Sequence, residues 1–379
     1  MQDASGVYTI RLSLLRRKFV KTAKLVSMVV IMMIHAMSQT NAQTGALGEP
    51  VAVVELDGKW GFINSSGKYV FDQLFEGAGT FSEGLAAIKV GGKWGYIDET
   101  GRQVITPQFE GAGEFSEGLA NVTMAGKDGF IDHTGGVVIK AQFEHAWGFS
   151  CGLGMVEVDH KRGYIDKSGQ LVIGLQFAMA MPFSEDLAYV NLNGKKGYMD
   201  TTGKMVTHFE LGEGAGFFSE GMAEVQVGKK WGYIDKTGRI AIPPKFDYAY
   251  GFSEGLAAVG RSQHYGFIDH AGELVIGPRY SRSLGCDGLK FSEGLTVVQI
   301  DDKCGFIDRT DRVVVHAEFE PLTLISSFSE GMAKFQMAGT SKWGYIDKTG
   351  TIAIPPRFDY VTDFSMPDKS SSLYHCHAR

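Results

Sequence analysis

Carboxylates recur along this chain at fixed spacing. Glu83, Glu117, Glu185, Glu220, Glu254, Glu293 and Glu330 each follow a Phe-Ser pair, and Asp98, Asp132, Asp166, Asp200, Asp235, Asp269, Asp308 and Asp347 each follow a Gly-aromatic-apolar triplet. Two chemistries are open to such a series. Calcium needs six to eight oxygens converging on one point, and one Glu and one Asp set well apart in a unit do not supply them. General acid–base work needs two carboxylates in unlike environments, whereas a repeat offers nearly the same environment many times over. Turn stabilisation fits the glutamates and aspartates better, and Asp at the first turn position bonds the turn backbone. There is no Gly-x-Ser-x-Gly elbow, phosphate-binding glycine loop or His-Glu-x-x-His string. His375-Cys376-His377 holds metal-ligand types, but three adjacent ligands cannot close a tetrahedral site alone. The sequence therefore assigns no catalytic residue, no metal and no cofactor.

Two other sets of residues point to binding. Trp60, Trp94, Trp231 and Trp343 occupy one repeated position, which holds Asp128, Arg162, Lys196, Tyr265 and Cys304 elsewhere. A position that accepts charge is not fully buried as a rule. The tryptophans are thus expected to be partly exposed, and tryptophan is enriched at binding hot spots. The bland alternative is that each indole covers a neighbouring glycine and merely packs. The second set is one face of a predicted strand, which changes character from unit to unit: Asn121, Tyr189, Glu224, Gln226, Gln299 and Lys334. Variation on a regular scaffold is where repeat proteins place recognition, and it is also what an unselected solvent face looks like.

The elements that hold these residues follow from the period. A glycine after the tryptophan position recurs at Gly61, Gly95, Gly129, Gly163, Gly197, Gly232, Gly266, Gly305 and Gly344, a step of 34 or 35 residues that lengthens to 39 in the last two. In one unit Ala86, Ile88 and Val90 alternate with Leu85, Ala87 and Lys89, which predicts a half-buried strand. Gly91-Gly92, like Asp57-Gly58 and Asn193-Gly194, supplies the positive φ of a two-residue hairpin turn. Lys93–Asp98 is the second strand, and Asp98-Glu99-Thr100-Gly101 suits a type I turn closed by a glycine bulge. A third strand over Gln103–Thr106 stops at Pro107, which has no N–H to donate, and Phe109 to Phe115 crosses to the next unit. The fold class expected is all-β: a tandem array of nine three-stranded units of about 34 residues, each too small to stand alone, stacked as an open twisted β-solenoid. A closed propeller-like ring is the alternative, second because propeller blades usually have four strands and rings usually four to eight blades.

Lys93-Trp94-Gly95-Tyr96-Ile97-Asp98, Gly101, Phe109 and Phe115-Ser116-Glu117-Gly118-Leu119-Ala120 resemble the WG (KWG, WG-containing) repeat, and the likeness runs over about residues 51–365. The tryptophan itself is lost in five units. The resemblance implies a bacterial, exported, non-catalytic repeat protein that binds or scaffolds.

Outside the array, residues 1–42 read as an export signal. Arg11, Arg16, Arg17, Lys18, Lys21 and Lys24 precede the apolar stretch Leu25–Met37 and the small or polar residues through Ala42. The run from Arg16 to Lys21 is similar to a twin-arginine motif, and thirteen interrupted apolar residues are too short to span a bilayer. Residues 43–50 form a linker, and 366–379 break the pattern and are expected to fray. The chain carries a net charge of −6, and loss of the basic leader makes the remainder more acidic, which argues against nucleic acid. Four cysteines are too few for a disulfide framework; Cys286–Cys304 is a conceivable bridge and isolated thiols the alternative. The expected setting is periplasmic or extracellular. The expected partner is a protein or another cell-envelope component, with a glycan possible, and the other class open is a structural spacer without a ligand.

Overall fold

The stretch that the sequence leaves as a connector, Phe109 to Phe115, contains a strand. In the computed structural model, which describes residues 47–207, 214–281, 289–300, 303–319, 324–337, 339–369 and 376, Gly111–Ala112 pairs with Ala120–Met124 of the next unit. The expected three-stranded unit is therefore a four-stranded sheet whose first strand is donated by the preceding repeat. The second blade shows the pattern: an inner strand Gly77–Ser82, a second Leu85–Val90, a third Lys93–Asp98 and an outer strand Gln103–Phe109, hydrogen-bonded in that order.

Nine sheets, five of four strands and four of three among the described residues, form a closed nine-bladed β-propeller, and the expected open solenoid is overturned. The decisive contact is at the ends of the array. Tyr360–Val361, after the ninth repeat, pairs antiparallel with Val51–Leu56 of the first, Val54 opposite Val361 and Glu55 opposite Tyr360. Reciprocal backbone bonds of 3.0 Å between Val51 and Ser365 extend the seam. The physical reason is burial. The second strand was expected to keep one face in water, but both faces are covered. Leu85, Ala87, Tyr96 and Ile105 of the second blade pack on Ala120, Val122 and Ile131 of the third. The opposite face of the second blade, Ala86, Ile88 and Ile97, packs on Val51, Val53 and Phe62 of the first. Tyr345, Ile354 and Phe358 of the ninth blade meet Ala52, Val54 and Ile63 of the first in the same way. At roughly 1.5–3 kcal/mol for each large apolar side chain fully buried, an interface of this kind outweighs any exposed ion pair, worth about 0–1 kcal/mol.

The local turns follow the sequence. The hairpins between second and third strands have positive φ at both turn residues, 52° and 72° at Asp57-Gly58, 58° and 75° at Gly91-Gly92, 53° and 83° at Asn193-Gly194. In the turn after the third strand, Asp98 Oδ1 accepts from the Thr100 amide at 3.0 Å and the Arg102 amide at 3.1 Å. Gly101 has φ 78°.

Pro107 does not stop the outer strand. The strand runs on to Phe109, and its register slips, so that the backbone from Ile105 to Phe109 bulges over a single residue, Gly95. This is why the repeat needs glycine after tryptophan. A Cβ on Gly95 would lie 2.6 Å from Pro107 N and also against the Ile105 carbonyl, backbone atoms that cannot rotate away. Gly129, Gly163, Gly232, Gly266 and Gly344 sit under the same bulge. Gly95→Ala is expected to lower unfolding stability by about 1–3 kcal/mol. Gly174→Ala, where a Cβ meets nothing within 4 Å, should be neutral or stabilising by up to about 1 kcal/mol. Paired denaturant titrations check the contrast; equal effects would refute the bulge explanation.

Candidate functional site

Strand direction alternates within a blade, so the propeller has two unlike faces. The Phe-Ser-Glu-Gly turns and the Asp turns lie on one; the hairpins and the tryptophan position lie on the other.

On the first face the carboxylates are already engaged. Ser82 Oγ donates to the Phe115 carbonyl of the next blade at 2.7 Å, and the bond recurs from Ser116 to Phe149 and on through Ser329 to Phe364. So short a side chain bridges two blades only where they converge, which places these turns near the axis. Each glutamate of the series has positive φ, 53° at Glu83 and Glu117, an unfavourable conformation for a residue with a Cβ. It aims the carboxylate at the next blade: Glu83 Oε2 accepts from the Gly118 amide at 3.0 Å, Glu185 from Gly221 at 3.0 Å, Glu254 from Gly294 at 2.9 Å. Lysines or histidines of the following Asp turns add ion pairs, such as Lys236–Glu185 at 3.0 Å. The aspartates are likewise bound. The Thr134 hydroxyl outweighs the cost of burial and, with the Gly136 and Thr134 amides, holds the Asp132 carboxyl below the usual range. Both series are thus engaged in turns and inter-blade bonds.

The second face holds the tryptophans. Trp60, Trp94, Trp231 and Trp343 are all half-buried. Trp94 lies over Gly77 of its own blade's inner strand and Trp231 over Gly214; Lys89 Nζ stands 5.9 Å from the Trp94 ring. Two charged residues at the position are bonded to the next blade, Asp128 Oδ2 to the Ala146 amide at 2.9 Å and Arg162 to the Ala180 carbonyl at 3.0 Å. Tyr265 and Cys304 are fully buried there; Cys286 lies outside the described residues. Ring closure brings Trp343, Trp60 and Trp94 onto three consecutive blades, the ninth, first and second. In the middle of that arc the exposed Tyr360 packs on Trp60, ring centres 5.4 Å apart and planes tilted by 48°. Residue spacing did not single out Tyr360, because it becomes a neighbour of Trp60 only through the closing strand.

The variable positions do not form one surface. Asn121 faces Gly113 of the inner strand. Tyr189 is buried against Tyr198, 5.5 Å between ring centres. Gln226 and Gln299 stand opposite the tryptophan position of their blades, across from Trp231 and Cys304. Lys334 pairs with Asp363 of the next blade at 3.2 Å. Glu224 differs from the rest: Gly216 and Gly251 leave room for its carboxylate, and its Oε2 atom is out of water with no hydrogen-bond partner. Burial pushes this carboxyl up to about 7, against a weaker pull from its own backbone amide and from Lys290.

One cluster of metal-ligand types exists among the described residues, Glu144, Glu157 and His160. Its charges are already met, Glu157 by Arg162 at 2.8 Å and Glu144 by Lys127 at 3.8 Å. A cavity of about 140 Å³ opens between the sixth and seventh blades beside Lys245, Phe246, Arg261 and Leu274; none of the sequence-derived candidates lines it.

The model of the WG containing repeat matches nine stretches, residues 60–94, 94–127, 129–161, 163–195, 197–231, 231–260, 265–304, 305–340 and 343–365. The chain belongs to the WG-repeat family. No curated protein matches it. Among solved structures, a eukaryotic initiation factor aligns at TM-score 0.60 and 11% identity, over 86% of this chain and all of that one. BamB from Moraxella catarrhalis aligns at 0.41 and 16%, over 71% and 94%. Dihydro-heme d1 dehydrogenase NirN aligns at 0.44 and 12%, over 88% and 78%. At such identities the likeness of this WG-repeat chain to the initiation factor is one of fold alone. Among the described residues no helix is long and apolar enough to cross a membrane.

The raised Glu224 carboxyl sets a pH test. An unfolded glutamate ionises near 4.5 and the folded one near 7, so unfolding releases a proton between those values and stability falls as pH rises through that window. Glu224→Gln cannot ionise. It is expected to be more stable than the parent by about 1–3 kcal/mol at pH 8, with the gap closing at pH 4.5. Parallel stability–pH curves for the two proteins would show that Glu224 is not held in this state.

Proposed function

We propose that the protein is a non-catalytic, exported WG-repeat propeller that binds a protein partner of the bacterial cell envelope through its hairpin face. The observation that carries the reading is the arc Trp343, Trp60–Tyr360 and Trp94. It gathers large, half-exposed rings on three adjacent blades, the residue types that dominate binding hot spots. A protein suits the arc better than a sugar. Sugar stacking needs an open, flat ring face, and the Trp60 ring is tilted against Tyr360. The non-catalytic reading is supported by the repeated carboxylates, which are spent on turns and inter-blade bonds rather than aimed at a shared space. Export is supported by the basic-apolar-small order of residues 1–42. It is also supported by a disulfide between Cys151 and Cys376, a bond that persists in oxidising compartments.

Site-specific photo-crosslinking tests the partner. A photoreactive phenylalanine at position 360 is expected to capture a discrete envelope protein in living cells, with the signal competed by excess unmodified protein and weakened at least about tenfold by Trp60→Ala. The same probe at Gln103, away from the hairpin face, should capture nothing. Equal capture at the two positions, or none at position 360, would refute the reading. Binding of the purified protein on a glycan array would favour the sugar instead.

A further inference from the structure

The ring of inter-blade bonds made by the Phe-Ser-Glu-Gly turns is irregular in three places. In the fourth blade Cys151 replaces the glutamate, so no carboxylate is offered to the Asp186 amide of the fifth. Between the ninth and first blades, Glu330 faces Pro367, which has no N–H. Between the first and second, Met366 stands where a glutamate would accept from the Gly84 amide. Three residues after the last repeat, Pro367, Lys369 and Cys376, reach all three. The Pro367 carbonyl accepts from the Gly84 amide at 3.0 Å, and the Lys369 carbonyl accepts from the Glu83 amide at 3.4 Å. Lys369 Nζ donates to Glu330 Oε1 at 2.9 Å. Cys376 is disulfide-bonded to Cys151, with its sulfur 3.4 Å from the Ser150 hydroxyl. Chance contact with one irregular position would mean little. Contact with every one of them, each by a group of fitting chemistry, points to a built part.

We propose that the C-terminal tail is a redox-latched clamp: Pro367 and Lys369 complete the inter-blade ring where the repeat cannot, and the Cys151–Cys376 bond holds them there. The latch closes when the two thiols pass two electrons and two protons to a disulfide-carrying oxidant, which leaves as its dithiol. It opens when a dithiol attacks one sulfur, forms a mixed disulfide and is displaced by its own second thiolate as a cyclic disulfide. In an oxidising compartment the clamp is permanent. Where dithiols reach the protein, the tail leaves the turn face and exposes the Glu83 and Gly84 amides.

Amide hydrogen exchange with fragment-resolved mass spectrometry tests this on the full chain, with and without dithiothreitol, beside the variant Cys376→Ser, which leaves every blade unaltered. Reduction, and the variant without reduction, are expected to speed exchange at Glu83 and Gly84 about tenfold or more. The Gly221 and Gly255 amides, bonded by Glu185 and Glu220 on distant blades, should not change. Unaltered protection at Glu83 and Gly84 in both arms would overturn the proposal. So would equal acceleration at all four amides, which would make the bond a global stabiliser. Alkylation of Cys151 and Cys376 as free thiols in protein prepared under oxidising conditions would also overturn it.

Discussion

A sheet that is apolar on both faces cannot be the end of anything. Each blade offers one neighbour Ala86, Ile88 and Ile97 and the other neighbour Leu85, Tyr96 and Ile105, or their counterparts. A linear stack would leave two such faces in water at its ends, and among the described residues there is no capping repeat of polar character, as solenoids require. Closing the ring removes the ends. The pairing of Tyr360–Val361 with Val51–Leu56 is therefore the contact on which the architecture depends. It makes the first sheet from both termini of the array, so that no blade can leave without opening another.

Closure imposes a second condition near the axis, where backbones crowd and polar groups lose water. The Ser-to-carbonyl and Glu-to-amide bonds answer it. The strained φ of the glutamates makes sense in that light: a left-handed Glu costs free energy locally, but it points the carboxylate at an amide one blade away and forms a charge-assisted bond between blades. The same bonds tie these carboxylates to the neighbouring blade. A series that looked chemically suggestive as a list of residues is consumed by holding blades in register.

Much of the blade was legible beforehand because its signals are local. The hairpin turns need positive φ and carry Gly, Asn or Asp; the aspartate turns carry their own hydrogen-bond acceptor. What could not be read was non-local or very short. Gly111–Ala112 is a two-residue strand, with no room for a period-two pattern. Pro107 looked like a stop because a strand interior loses a bond there, yet on an outer edge, at a bulge, that bond is not required. The variable face of the second strand looked like a solvent face because covering it takes a neighbour on that side, and ring closure was not visible. The Tyr360–Trp60 contact and the Cys151–Cys376 bond, 225 residues apart in sequence, exist only in the closed ring. In the sequence Glu224 stands out only as one of a variable set with Asn121, Tyr189 and Lys334; that its carboxylate lies out of water gave no sign, because the glycines that make room for it, Gly216 and Gly251, lie outside its own strand.

Repetition separates what the scaffold needs from what a single blade adds. The glycine under the bulge and the serine bridging to the next carbonyl recur because every blade meets the same geometry. Departures are informative where several fall together in space. Cys151, Met366 and Pro367 interrupt the same ring of bonds, and the tail reaches each interruption. Trp343, Trp60 and Trp94 retain the indole on adjacent blades, whereas the third, fourth and fifth blades carry Asp128, Arg162 and Lys196 there. Equivalent blades already give the ring two unlike faces; the aromatic arc on one and the tail residues on the other make some blades different from the rest.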